Sequence, residues 1–145
     1  MLIIKLTITS SASLGLYQSC RILCKHLHKK TEIERFDVDT RFTNAIKYGD
    51  LVFISGQVGT GSTIKEQAEA ALRDVDAALS QAGTDKTKIL ECTVWLSNMK
   101  ADYAAFNEVY DSWIPKGLPP TRACVQAELY SPDCKVEVRV VAAAS

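Results

Sequence analysis

The sequence predicts an α+β domain, a mixed β-sheet with two helices packed on one face. Three observations predict it. Short β-branched runs alternate apolar and polar residues at 46–59, 88–97, 121–129 and 134–143. Two stretches between them repeat apolar residues at helical spacing. The resulting order, ββ-α-β-α-ββ, suits helices gathered on one side of a mixed sheet.

Each element has its own signature. In "IKYGDLVFISGQVG" (46–59), Lys47-Tyr48-Gly49-Asp50 reads as a turn between two strands, with Tyr48 a core aromatic. Gly56, after Ser55, marks a bulge or a place where another group approaches the backbone closely. Thr63 with Glu66 forms a capping box. Behind it Ile64, Ala68, Ala71, Leu72, Val75, Ala78, Leu79 and Ala82 trace one helical face that Gly83 terminates. "KILECTVWLS" (88–97) is a largely apolar strand. "ADYAAFNEVYDSWI" (101–114) is a second helix, started by Asp102 and carrying Tyr103, Phe106, Tyr110 and Trp113 on one face. Pro115 and Gly117 close it. A further short strand is expected around 31–38.

The 145 residues and 47% hydrophobic content suit one domain with a real core. Net charge is zero but unevenly spread. Residues 1–30 hold five basic side chains and no acid, whereas 31–145 carry 12 basic against 17 acidic residues, a net −5. A domain of that sign has no footprint for a phosphate backbone, so nucleic acid is not the expected partner. The first 30 residues are Ser-, Thr- and Leu-rich and free of acids. That suits a mitochondrial transit peptide better than a secretory signal, a disordered extension being the alternative. Localisation is thus expected to be mitochondrial or cytoplasmic. No stretch reaches the ~18–20 apolar residues of a membrane span.

Five cysteines, an odd number, argue against a disulfide framework. Cys20, Cys24, His26 and His28 crowd together but match no zinc spacing, and no metal or cofactor is expected.

The chain ends in two strands that read as a hairpin turning at Ser131-Pro132-Asp133. In the first, Ala123, Val125, Ala127 and Leu129 form one face, and Arg122, Cys124, Gln126 and Glu128 the other. In the second, Val136, Val138 and Val140 oppose Lys135, Glu137 and Arg139. The apolar sets are expected beneath the helices. The hairpin register puts Glu128 opposite Lys135 and Gln126 opposite Glu137. Arg122 and Glu137 would then share a face but stand ~13 Å apart, at ~3.3 Å per residue. Two readings of that polar face stay open. It is either a solvated surface, or a site where Arg122 forks a carboxylate and Glu137 handles a proton.

Four stretches resemble the reactive-intermediate deaminases, also called Rid or YjgF-like proteins and formerly endoribonuclease L-PSP. "FISGQVG" is similar to the family's Ser-Gly-Gln segment. "ILECTVWLSNMKADYAAFNEVYDSWI" is similar to its strand-loop-helix with a Phe-Asn-x-x-Tyr core, here Phe106, Asn107 and Tyr110. "PPTRACVQAEL" resembles its Pro-x-Arg-x-Cys-Val motif, and "KVEVRVVAA" its closing strand. Together they span about residues 33–143, in order.

The resemblance implies a chorismate-mutase-like fold and a homotrimer with sites between subunits. It implies hydrolysis of 2-aminoacrylate, 2-iminobutanoate and related enamines or imines to 2-oxo acids and ammonia. By position, Arg122 would clamp the carboxylate and Glu137 would orient or deprotonate water. Backbone near Ser55 and Gly56 would help hold the substrate, and Cys124 would line the pocket rather than act as a nucleophile. The partner implied is a small imino or enamino acid. One departure stands out. Phe42 occupies the place of a motif tyrosine near the substrate, with Thr43 in place of serine. The ring is kept and the hydroxyl donor is lost.

Overall fold

The computed structural model describes residues 31–145. The transit-peptide expectation and the Cys20, Cys24, His26, His28 cluster lie outside the described residues. Six strands run in chain order: β1 Ile33–Val38, β2 Thr43–Tyr48, β3 Leu51–Val58, β4 Ile89–Leu96, β5 Thr121–Gln126 and β6 Val136–Ala143. Helix α1, Ile64–Gln81, lies between β3 and β4, and α2, Met99–Trp113, between β4 and β5.

Local chemistry sets the element ends. The Thr63 side chain accepts from the Glu66 amide, and the Glu66 carboxylate accepts in return from the Thr63 amide, completing the expected capping box. These bonds to the carboxylate, the Thr63 amide first, lower its pKa. Every apolar position named for the helix is buried. Gly83 leaves α1 at φ 77°, a left-handed conformation that glycine adopts without a Cβ clash. Helix α2 begins earlier than the sequence suggests. Asn98 caps it by accepting from the Ala101 amide, and Asp102 sits in its first turn. Only Phe106 and Tyr110 of its four aromatics are buried, while Trp113 is half-buried and Tyr103 exposed.

The six strands form one sheet in the order β1-β2-β3-β6-β4-β5. Only β4 and β5 pair in parallel. The expected β5–β6 hairpin does not exist. A helix crossover returns the chain to the end where the previous strand began, so β5 adds parallel beside β4. The β3-α1-β4 crossover likewise leaves β3 and β4 parallel with a gap one strand wide. The last strand, β6, fills that gap antiparallel to both neighbours. Val136, Val138, Val140 and Ala142 are consequently buried at the centre of the molecule.

This order overturns the expected registers. Gln126 pairs with Leu96 rather than Glu137, and its side chain accepts from the Met99 amide at the start of α2. Glu128 lies beyond β5, and Lys135 donates its amide to Gln67 rather than pairing across a hairpin.

The face assignment of β5 is reversed as well. Arg122 pairs with the buried Cys92, which pairs in turn with the buried Val140, so Arg122 and Cys124 look toward the helices. Ala123 and Val125 turn outward. Alternation sorts residues into two sets but does not say which set meets the core. Tyr48, expected in the core, also points outward and is exposed.

Val52, Ile54, Val94, Leu96 and Val138 of the sheet pack against Leu72, Val75, Leu79 and Phe106 of the helices. Removing the Phe106 ring from this core costs about 3–5 kcal/mol.

Candidate functional site

The sequence-predicted site residues fall into two groups on opposite sides of the sheet. The first surrounds Arg122. Strand β5 delivers its half-buried side chain beneath α2, where the Phe-Asn-x-x-Tyr spacing brings three α2 residues to it. Its Nη2 donates to Asn107 Oδ1 at 2.9 Å. Its Cζ lies 4.2 Å from the Tyr110 ring centroid and 5.4 Å from that of Phe106. A guanidinium over an aromatic face is held by the ring quadrupole without losing its charge.

No carboxylate meets this cation. The two ion pairs among the described residues, Lys65–Glu108 and Lys86–Asp76, involve neither Arg122 nor Glu137. Among the described residues, Arg122 Nε is buried with no acceptor, while the buried Tyr110 hydroxyl lies against the Cys92 thiol. An unanswered donor on a half-buried cation is where an anion gains most.

Two thiols share the neighbourhood. Burial pushes the Cys92 thiol up to about 11, and it pushes the Cys124 thiol up despite the Arg122 charge beside it. Burial also raises the Tyr110 phenol. All three stay protonated and neutral at physiological pH. Cys124 therefore lacks the thiolate a nucleophile needs.

The second group gathers on the outer face. The bulge expected at Gly56 is present as a register shift between Ile54 and Gln57. The close approach is present too, and the approaching group is Glu137. A β-carbon added at Gly56 would lie 1.8 Å from Glu137 Oε1. Ser55 Oγ donates to the Thr43 carbonyl at 2.7 Å and so ties the bulge to the residue after Phe42. Gln57 Nε2 donates to Asn44 Oδ1. Phe42, Asn44, Gly56 and Gln57 line an open depression of about 590 Å³ with Asp37 and Asp39 at its rim.

Phe42, Ser55, Gly56 and Glu137 are thus brought together, and Arg122 with Cys124 stands apart from them. The expectation that Arg122 and Glu137 share a face is wrong for a single chain. Glu137 pairs with Trp95 and Arg122 with Cys92, three residues apart on β4 and therefore on opposite faces. Sequence reasoning also missed Asn107 and Tyr110 as partners of Arg122. The available signal was an amide one residue from the apolar stripe of α2, within reach of whatever strand lay beneath.

The outer face is not dressed for water. Ile46, Phe53, Trp95 and Val141 are half-buried there, and Tyr48, Leu51 and Val125 are exposed. Among the described residues no group of three or more His, Cys, Asp or Glu side chains forms a metal site. No described helix is long and apolar enough to cross a membrane.

Comparison with known proteins agrees with this architecture. A family model described as endoribonuclease L-PSP matches residues 32–144. A RutC family protein of Haemophilus ducreyi is 37% identical over 113 residues, covering 77% of this chain and 96% of its own length. The RutC family protein YoaB of Escherichia coli is 34% identical over 112 residues, covering 77% and 97%. Among solved structures, a member of the YjgF protein family from Neisseria meningitidis superposes with a TM-score of 0.78 at 35% identity. That match covers 79% of this chain and 97% of the other. The six-stranded mixed sheet with two helices on one face is the chorismate-mutase-like fold of these relatives.

Proposed function

The chain belongs to the YjgF/RutC family of reactive-intermediate deaminases, the endoribonuclease L-PSP family, and from that premise we propose that it hydrolyses small 2-imino and 2-enamino acids to 2-oxo acids and ammonia. The observation that carries this reading is Arg122, a half-buried guanidinium with fixed neutral partners and no carboxylate of its own.

Arg122 binds the substrate carboxylate through its planar fork. Glu137 accepts a proton from water, and the water oxygen bonds to the imine carbon as the C=N π pair moves to nitrogen. The nitrogen takes up that proton to give a carbinolamine; the hydroxyl proton then passes by way of Glu137 to nitrogen as the C–N bond breaks, its electrons leaving on ammonia while the carbonyl forms. An enamine such as 2-aminoacrylate first moves a proton to carbon to give the imine. Imines hydrolyse readily in water, so one clamp and one positioned carboxylate, worth ~10²–10⁴ in rate, suffice.

With Arg122 and Glu137 on opposite faces, one site needs residues from two copies of the chain. We assign a homotrimer with sites between subunits, supported by the apolar outer face that other copies would cover. A mass measurement by light scattering that returned a monomer would sink this assembly.

The chain is coupled to a threonine dehydratase and the appearance of 2-oxobutanoate is followed, with Arg122→Ala beside the wild type. Acceleration by the wild type that the variant loses supports the deaminase. No acceleration at all favours the second reading, a non-catalytic carboxylate-binding protein. The exposed Phe42, which lacks a hydroxyl donor at the depression, is the observation on its side. RNA is a poor substrate for a domain of net charge −5. Residues 1–30 are proposed as a mitochondrial transit segment, with cytoplasmic residence as the alternative; fusion to a fluorescent protein that stays cytosolic rejects the former.

A further inference from the structure

Arg122 is held entirely by groups that carry no charge. Arginine has only donors, so the Asn107 side chain must present its oxygen to Nη2, and its orientation is fixed by chemistry. The Tyr110 ring forms the floor 4.2 Å away, with Phe106 beside it. The nearby thiols and phenol remain protonated because burial raises all three. The guanidinium is therefore oriented without being discharged.

We propose that Asn107 and Tyr110 are positioning residues, which fix the Arg122 fork through neutral contacts so that its charge is left for an incoming carboxylate. The inference rests on the carboxylate-clamp reading of Arg122 given above. It explains why an amide stands at 107. Aspartate has the same size and reach, but its two oxygens would accept both arms of the fork and compete with the substrate. A leucine at 110 would fill space but leave the planar cation without a face to lie on. The Tyr110 hydroxyl lies on the Cys92 side and is not needed for this role.

The test measures binding of 2-oxobutanoate by calorimetry, together with kcat and KM in the coupled assay. It compares the wild type, Arg122→Ala, Asn107→Asp, Tyr110→Leu and Tyr110→Phe. Asn107→Asp is expected to weaken binding about tenfold or more, from competition by a charge-assisted pair. KM should rise more than kcat falls, while the thermal midpoint stays equal or increases. A merely structural residue would lower the midpoint instead. Tyr110→Leu should weaken binding, and Tyr110→Phe should recover what Tyr110→Leu loses. If Arg122→Ala abolishes binding while Asn107→Asp binds as the wild type does, the inference is overturned and the clamp stands. If Arg122→Ala binds normally, the clamp reading itself fails and the inference with it. Should Asn107→Asp not fold, the leucine and phenylalanine pair at 110 decides alone, and equal affinities there overturn it.

Discussion

Arg122 and Glu137 sit on opposite faces of one sheet, Arg122 beside Cys92 under α2 and Glu137 beside Trp95 on the outer surface. A single chain thus offers two half-sites, and the proposed chemistry joins an Arg122 half from one copy to a Glu137 half from another. Arg122→Ala and Glu137→Gln proteins should each be inactive alone. Unfolded together and refolded as mixed trimers, they should regain about a quarter of wild-type activity, since random assembly pairs two intact halves at that frequency in a heterologous ring. No recovery on mixing would mean that both residues must come from one chain.

Gly56 leaves the space that the Glu137 carboxylate occupies, because a methyl there would stand 1.8 Å from Oε1. The obstructing atom is the tip of a flexible side chain, so Glu137 can swing away. Gly56→Ala should cost about 1 kcal/mol or less in stability. It should lower kcat roughly 10²-fold through the misplaced base. Denaturant melts beside steady-state rates separate the two effects.

Gln67 pins the approach to β6. Its buried amide donates to the Gly61 and Asp133 carbonyls and accepts from the Lys135 amide. Gln67→Leu strands three backbone groups at once and should destabilise the fold by about 3 kcal/mol. Urea denaturation checks this, and a loss below about 1 kcal/mol would mean that water replaces the amide.

Cys92 makes the fold sensitive to alkali. Burial raises its thiol pKa from an ordinary 9.0 to about 11. The folded state therefore keeps a proton that the unfolded chain gives up, and the thiol's contribution is intact below pH 9.0. As pH rises toward about 11, stability falls by an amount on the order of 2–3 kcal/mol. Cys92→Ala should flatten this part of the stability profile. An equally steep decline in the variant would assign it to other groups, with the buried Tyr110 phenol the next to test.

Much of the molecule was legible in the residues. The capping box at Thr63 and Glu66 and the helical stripe from Ile64 to Ala82 rest on interactions within a few positions of chain, so spacing alone reveals them, whereas the bulge at Gly56 showed only as a glycine inside a strand and its partner, β6, did not. The motif around Arg122 pointed to the family and to a carboxylate clamp. The sequence by itself determined which residues alternate in β5 and β6, and only the tertiary structure decided what each set faces. Alternation is unchanged when the two faces are exchanged. The choice depends on which strands become neighbours, and two helix crossovers opened the gap that β6 fills and carried β5 to the edge. That non-local step set Arg122 on Asn107 and Tyr110 and put Glu137 against Gly56 on the opposite face of the sheet.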